Sequence, residues 1–284
     1  MNQHYILLCT IFGFMLGNAD ASAGQYQQTA QSTAPSKIMI IRHAEKIDLP
    51  HEIFQNMTIE EGGSFDNMLP LSIKGNERAH TLAVAFTQND FLKELDQAQR
   101  EGIETILKNA TGGDFKQNVS KMFNLNPLFE TPNVIVAAGP IRTGDKAASN
   151  YYMRAIQTVQ PLAKKLGLKI VDKFHRQNNS KDLALYKPLV QDLMQSYPKK
   201  TILVSWPHHE IFAIAKLLNA PDEVVETLAK WANSSYDQVW SFNFNDDGEL
   251  EYVDYFPQQL LQGDSTLSPR RFSVEKDSKK QKAA

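Results

Sequence analysis

Two short stretches carry side chains able to act on an anion. In KIMIIRHAEK, from Lys37 to Lys46, an apolar β-branched run stops abruptly at Arg42-His43 and continues through Ala44 into Glu45-Lys46. Such a run reads as a buried strand, and ligands of α/β sheets bind just beyond the carboxyl ends of strands. Arg presents a planar fork of donors that suits phosphate oxygens. His is a nucleophile or proton carrier near neutral pH. Packing alone offers a plainer account, with Arg42 against a carboxylate and His43 a satisfied core histidine. The second stretch, TILVSW from Thr201 to Trp206, is another apolar strand, closed by Pro207-His208-His209-Glu210 and the helical run from Ile211. It puts a second imidazole at a strand end beside a helix N-terminus, where free N–H groups and the dipole favour anions. Two such junctions, one with an Arg, are hard to explain by packing.

The elements that must position these residues alternate. After the Lys37–Ile41 strand comes a loop from His51 to Met68, containing Gly62-Gly63. A helix over Pro70–Phe86 follows, with Ser72 as its cap candidate. Phe91–Leu128 is helical in pattern, broken at Gly112-Gly113; it is longer than an ordinary connection and reads as a helical insertion, either a cap over the site or an embellishment away from it. Strands are expected at Asn133–Ala138, Leu168–Phe174 and Thr201–Trp206, and helices at Asn150–Leu166, Asp182–Tyr197, Ile211–Leu218 and Asp222–Ala232. Gln238–Phe244 and Leu250–Tyr255 flank the turn Asp246-Asp247-Gly248 as a hairpin. The pattern implies a three-layer α/β/α sandwich with a mainly parallel sheet and this hairpin at an edge.

Several of these pieces resemble one family. Arg42-His43-Ala44-Glu45 resembles the Arg-His-Gly-Glu signature of the histidine phosphatase (phosphoglycerate mutase-like) superfamily, with Ala44 in place of the usual Gly. ILVSWPHHEIFAIA resembles its second motif, a strand closed by a catalytic His, with Trp206-Pro207 departing from the usual residues. Leu71-Ser72 through Gly75 to Ala79 resembles its Leu-Ser/Thr-x-x-Gly-x-x-x-Ala segment, and Ser149 through Arg154-Ala155-Ile156-Gln157-Thr158 its Ser…Arg-Ala-x-Gln-Thr helix start. The four pieces occur in the family's order.

The resemblance implies a phosphoglycerate mutase-like fold and metal-independent hydrolysis of phosphomonoesters, without a cofactor. His43 would be the nucleophile that becomes phosphohistidine. Arg42 and Arg154 would clamp the phosphoryl oxygens, and His208 would add a positive or donor group. Phosphoryl transfer is largely a matter of positioning and charge stabilisation, so cationic side chains stand in for a metal. His208 is preferred over His209 because Ile211 then falls on the inward face of the following helix. A His-His-Glu zinc site lacks the usual ligand spacing. The general acid is expected beyond the second Arg, which makes Asp182 the candidate by analogy; Glu45, His209 and Glu210 also lie beside the motifs. The competing class is an inactive phosphate-ligand or surface-binding protein on the same fold.

Composition bounds the partners. The 284 residues carry a formal net charge of −2, against the basic surplus usual in nucleic-acid binders, and a small phosphorylated substrate is the expected partner; the oligomeric state stays open. Residues 1–23 read as a signal peptide: Tyr5–Gly17 is an apolar core too short for a comfortable span, and Ala21-Ser22-Ala23 is a cleavage site. No Lys or Arg precedes the core, and Cys9 lies inside it, so cleavage leaves a chain without cysteine or a stable membrane span. A periplasmic or secreted protein is expected, with a flexible polar lead-in at 24–36, the phosphatase-like domain at 37–266 with its insertion at 91–128, and a basic disordered tail at 267–284.

Overall fold

The computed structural model describes residues 32–47, 70–88, 97, 101, 128–140, 153–177 and 180–274, all within one compact unit, Ser32–Ala284. The signal peptide, the loop from His51 to Met68 and, apart from residues 97, 101 and 128, the insertion lie outside the described residues.

The described strands form one seven-stranded sheet. They are β1 (Lys37–Arg42), β2 (Val134–Ala137), β3 (Ile170–Val171), β4 (Thr201–Trp206), β5 (Gln238–Phe244), β6 (Leu250–Pro257) and β7 (Arg270–Ser273), in the order β3-β2-β4-β1-β5-β6-β7. The sheet is mixed. The strands β3-β2-β4-β1 run parallel, whereas β5, β6 and β7 are added antiparallel, so the sheet is less parallel than the sequence pattern suggested. Each parallel strand is a continuous apolar run, as burial on both faces requires; Ile38 to Ile41 and Ile202 to Val204 are fully buried.

Helices cover the sheet: α1 (Ile73–Ala85), α2 (Arg154–Leu166), α3 (Lys187–Gln195), α4 (His208–Leu217) and α5 (Asp222–Ala229). α1 packs on α2, while α4 packs on α3 and α5. Right-handed crossovers put the two groups on opposite faces, because β1→β2→β3 and β3→β4 progress in opposite directions across the sheet. Ser72 caps α1, its hydroxyl accepting from Gly75 N at 3.0 Å. The helix expected over Asp182–Tyr197 is two pieces, a 3₁₀ turn at Leu183–Tyr186 and then α3. This puts Pro188 in the first turn of α3, where its missing N–H is harmless.

The C-terminal expectation needs correction. The hairpin is not at an edge and residues 267–284 are not disordered throughout, because β7 pairs with β6. Its basic residues have partners on the body of the protein. Arg271 makes a two-pronged bond to Asp254 at 2.7 and 2.9 Å and lies over the Tyr252 ring. Arg270 bonds Glu223 at 3.0 Å and lies over the ring of buried Phe272.

Candidate active site

The C-terminal ends of the parallel strands converge on one cavity of about 270 Å³, lined by Arg42, His43, Lys46, Arg154, Arg176, Pro207, His208, His209, Asn233 and Tyr236. Among the described residues that line it there is no carboxylate.

Arg42 ends β1 and is 4% exposed. Its Nη1 donates to the carbonyls of Ala232, Asn233 and Ser235 at 3.2, 2.7 and 2.7 Å. The guanidinium carbon sits 3.8 Å from the centre of the Tyr236 ring, a cation–π contact that fixes its plane. The loop between α5 and β5 thus cradles Arg42.

His43 follows and is 5% exposed. Its Nδ1 lies 2.7 Å from the Ala44 carbonyl. A carbonyl only accepts, so Nδ1 carries the proton and the lone pair belongs to Nε2. Burial, then Arg154 and Arg42, hold the imidazole well below its ordinary pKa, so the ring is neutral at physiological pH, as a nucleophile requires.

The resemblance segments meet at this loop. Ala44 N donates to Thr158 Oγ1 at 2.8 Å, and the same hydroxyl donates to the Arg154 carbonyl at 2.7 Å. Thr158 therefore ties the first turn of α2, which presents buried Arg154, to the residue beside His43. On the other side, the Glu45 carbonyl accepts from Ser72 N at 2.9 Å. A Cβ on Gly75 would stand 2.2 Å from that carbonyl oxygen, so only glycine lets α1 approach this closely.

His208 is the first residue of α4 and is 3% exposed, whereas His209 is exposed. Ile211 is fully buried and Phe212 only partly so, which is the register expected from the sequence. The two imidazoles stack, with centroids 3.6 Å apart. His208 Nε2 lies 2.7 Å from Asn233 Oδ1; an amide oxygen accepts, so Nε2 carries the proton. Burial first, and then Arg42, take the His208 pKa down to about 3. His208 is thus neutral in this state, so of the positive or donor group that the sequence suggested it is not the positive one. His209 is also lowered, by burial and then by Arg42, Arg176 and Lys46.

The carboxylate candidates are placed elsewhere. Asp182 is exposed, is absent from the cavity lining, and accepts from Ala184 N at 2.9 Å as the cap of the 3₁₀ turn. The role of acid expected of it finds no support in this geometry. Glu45 is held by Arg78 through two bonds of 2.9 and 2.8 Å. Glu210 is fully buried and accepts from Gln177 N at 2.9 and 3.0 Å and from the Trp206 indole at 3.1 Å. That bond fixes the backbone next to Arg176. Among the described residues no cluster of three or more His, Cys, Asp or Glu is arranged to hold a metal ion, and no helix is long and apolar enough to cross a membrane.

Sequence reasoning missed Lys46, Arg176, Asn233 and Tyr236. His175-Arg176 had a signal, since it repeats the imidazole–cation pair at the end of a strand region. Asn233 and Tyr236 had none, because they reach the site only through the antiparallel placement of β5, whose first residues lie beside the end of β1.

No protein-family model matches the chain, and no curated protein does. Among solved structures, it is similar to mycobacterial glucosyl-3-phosphoglycerate phosphatase in complex with VO3, with 14% identity and a TM-score of 0.41 over 76% of this chain and 95% of that one. It is also similar to a phosphoserine phosphatase from Entamoeba histolytica in complex with 3-phosphoglyceric acid, with 14% identity and a TM-score of 0.34 over 75% of this chain and 93% of that one.

Proposed function

We propose that this protein hydrolyses phosphomonoesters through a phosphohistidine on His43. The observation that carries the reading is the state of His43: a neutral imidazole whose Nδ1–H is fixed on the Ala44 carbonyl, with Nε2 as its nucleophilic atom, in a cavity lined by Arg42, Arg154 and Arg176. Nε2 attacks phosphorus while the guanidinium groups and the positive end of α4 stabilise charge on the transferring oxygens. Attack transfers the phosphoryl group to Nε2 and breaks the ester bond; water then displaces the group from His43. These cations supply the charge stabilisation that a metal supplies elsewhere, so turnover in chelator is part of the proposal. Export after cleavage behind Ala23 is proposed with it, on the sequence alone; secreted protein starting at Gly24 is the expected result of N-terminal sequencing.

The test is trapping of acid-labile labelled phosphoenzyme during turnover of an aryl phosphate in chelator. His43→Ala should lose both label and turnover. Label retained in that variant would remove His43 from the role. Tight phosphate binding with neither label nor turnover in the native protein would favour the alternative, a non-catalytic phosphate-binding protein.

A further inference from the structure

The cations that line the cavity fall into two sets. Arg42 and Arg154 are buried with His43 and His208 at its inner end, whereas Lys46 and Arg176 are half-buried and form its rim with exposed His209. The electrostatics divide in the same way. Burial first lowers both His43 and His209; the guanidinium charges that add to it at His43 are Arg154 and then Arg42, and the cations that add to it at His209 are Arg42, Arg176 and Lys46. Arg176 reaches the cavity from the edge of the sheet. The Phe174 carbonyl accepts from Gly139 N at 2.8 Å, and His175 pairs with Gly139 beyond β2. The chain at Arg176 therefore continues the line of β3, three strand spacings, or about 14 Å, from the line of β1 that leads to His43. This segment is held tightly. A Cβ on Gly139 would overlap the Asp172 carbonyl, and both carboxylate oxygens of fully buried Glu210 accept from Gln177 N, at 2.9 and 3.0 Å. A buried carboxylate is expensive to desolvate, and this one holds the peptide unit that follows Arg176. Lys46 is set from the α1 side, where it pairs with Leu71 just ahead of Ser72, whose N–H bonds the Glu45 carbonyl.

Resting on the phosphatase reading, we propose that Lys46 and Arg176 form a second anion subsite at the rim, so that the substrate is a compact phosphomonoester whose alcohol carries a further anionic group, a carboxylate or a second phosphate. A phosphoryl group at His43 is served by Arg42 and Arg154. A cation anchored three strands away meets what the phosphoryl group is attached to. Arg176 offers a planar fork that matches carboxylate and phosphate alike, and Lys46 a point charge that suits either. The cavity volume of about 270 Å³ lies just below the range of pockets for drug-sized ligands, about 300–1,000 Å³, which keeps the alcohol small. The subsite adds no chemical step, since the second anion departs with the alcohol. Arg176 thereby selects the substrate as well as adding to the positive field at the phosphoryl group.

The experiment is kcat/KM on the full chain for matched pairs of esters. Carboxyalkyl phosphates of increasing chain length are each set against their carboxamide, and ethylene bisphosphate against hydroxyethyl phosphate. The charged member of at least one pair should be preferred by about ten- to a hundredfold, as for a hydrogen bond to a charged group, and comparison of the carboxylate and bisphosphate pairs tells which anion the subsite takes. Lys46→Gln and Arg176→Gln should each lower that ratio, Arg176→Gln to near one. Taking the ratio within one protein cancels any effect of the variant on phosphoryl transfer itself. If Arg176 acted on the phosphoryl group alone, Arg176→Gln would slow both members equally and keep the native ratio, which would overturn the proposal. A native ratio near one in every pair, with turnover and the label on His43 intact, would also overturn it and leave the phosphatase reading standing. Absence of turnover and of phosphoenzyme with every ester would overturn both.

Discussion

Arg78 offers a perturbation whose size follows from its contacts. It lies in α1, 2% exposed, and binds three side chains: Glu45 at 2.8 and 2.9 Å, Asp264 at 2.6 and 2.9 Å, and Gln258 at 3.0 Å. The carboxylates are themselves nearly closed off, with side-chain exposures of 14% and 4%. Arg78→Met keeps the aliphatic bulk and removes the cation shared by two carboxylates, leaving Glu45 only the half-exposed Lys74 at 4.0 Å. Removing one partner of a buried ionic cluster costs about 3–5 kcal/mol, which for a domain of this size lowers Tm by about 6–20 °C. The pH dependence identifies the cause. Burial alone would raise the Asp264 pKa, but the Arg78 bonds outweigh it and hold it below its ordinary value of 3.8. Its contribution in the native protein is therefore full above pH 3.8 and lost as pH falls below it. In the variant burial prevails and the folded-state value rises above the unfolded one, so stability returns as pH falls through it. The Tm gap should be widest at neutral pH and shrink toward pH 4, and adding Asp264→Asn should recover much of the loss. Differential scanning calorimetry across this range is the assay. A gap under 2 °C, or one that does not change with pH, would refute the argument that Arg78 compensates buried charge.

Gly75→Ala must move either α1 or the Glu45 carbonyl, and urea denaturation should show a loss of about 1–3 kcal/mol; a neutral result would mean that the α1 contact yields freely. Asp182→Asn keeps a good capping side chain, so kcat/KM for alkyl phosphates should stay within a few-fold, and a selective loss on alkyl over aryl esters would restore Asp182 as the acid. His208→Ala should lose about 10²–10³ in rate, as for one preorganised group at a transferring centre, while His209→Ala should stay within tenfold. Equal losses in steady-state assays would show that both imidazoles act on the phosphoryl group.

What the sequence disclosed depended on how local each signal was. The buried strands were legible because apolar runs such as Ile38–Ile41 need no partner to be recognised, and Arg42-His43 and His208 stand where those runs stop. Ser72 was legible as a cap because its bond to Gly75 spans three residues. The antiparallel half of the sheet was only half legible: the hairpin signal was local, but its pairing with β1 was not, and Asn233 and Tyr236 went unseen with it. β7 was hidden by composition. Arg270 and Arg271 counted as part of a basic tail until Glu223 and Asp254, distant in sequence, supplied their partners. The tautomer of His208 was invisible for the same reason, since it is set by an amide 25 residues away.

The acidic residues around the cavity show how it stays cationic. Several positive groups brought to one place repel one another, and a fold that collects them must anchor each from behind. Glu45 is such an anchor: its side chain faces Arg78 and its carbonyl docks on α1, which fixes the loop that carries His43. Glu210 is another, bonding the chain beside Arg176 and the indole that ends β4. Arg42 is anchored by carbonyl oxygens and the Tyr236 face. Carbonyl oxygens and the Tyr236 face thus lie on the protein side of Arg42, while Glu45 and Glu210 hold the chain beside the other cavity groups. A carboxylate inside the cavity would have to be protonated or would compete with the substrate for the arginines. Carboxylates that hold the loops from outside the cavity avoid both costs.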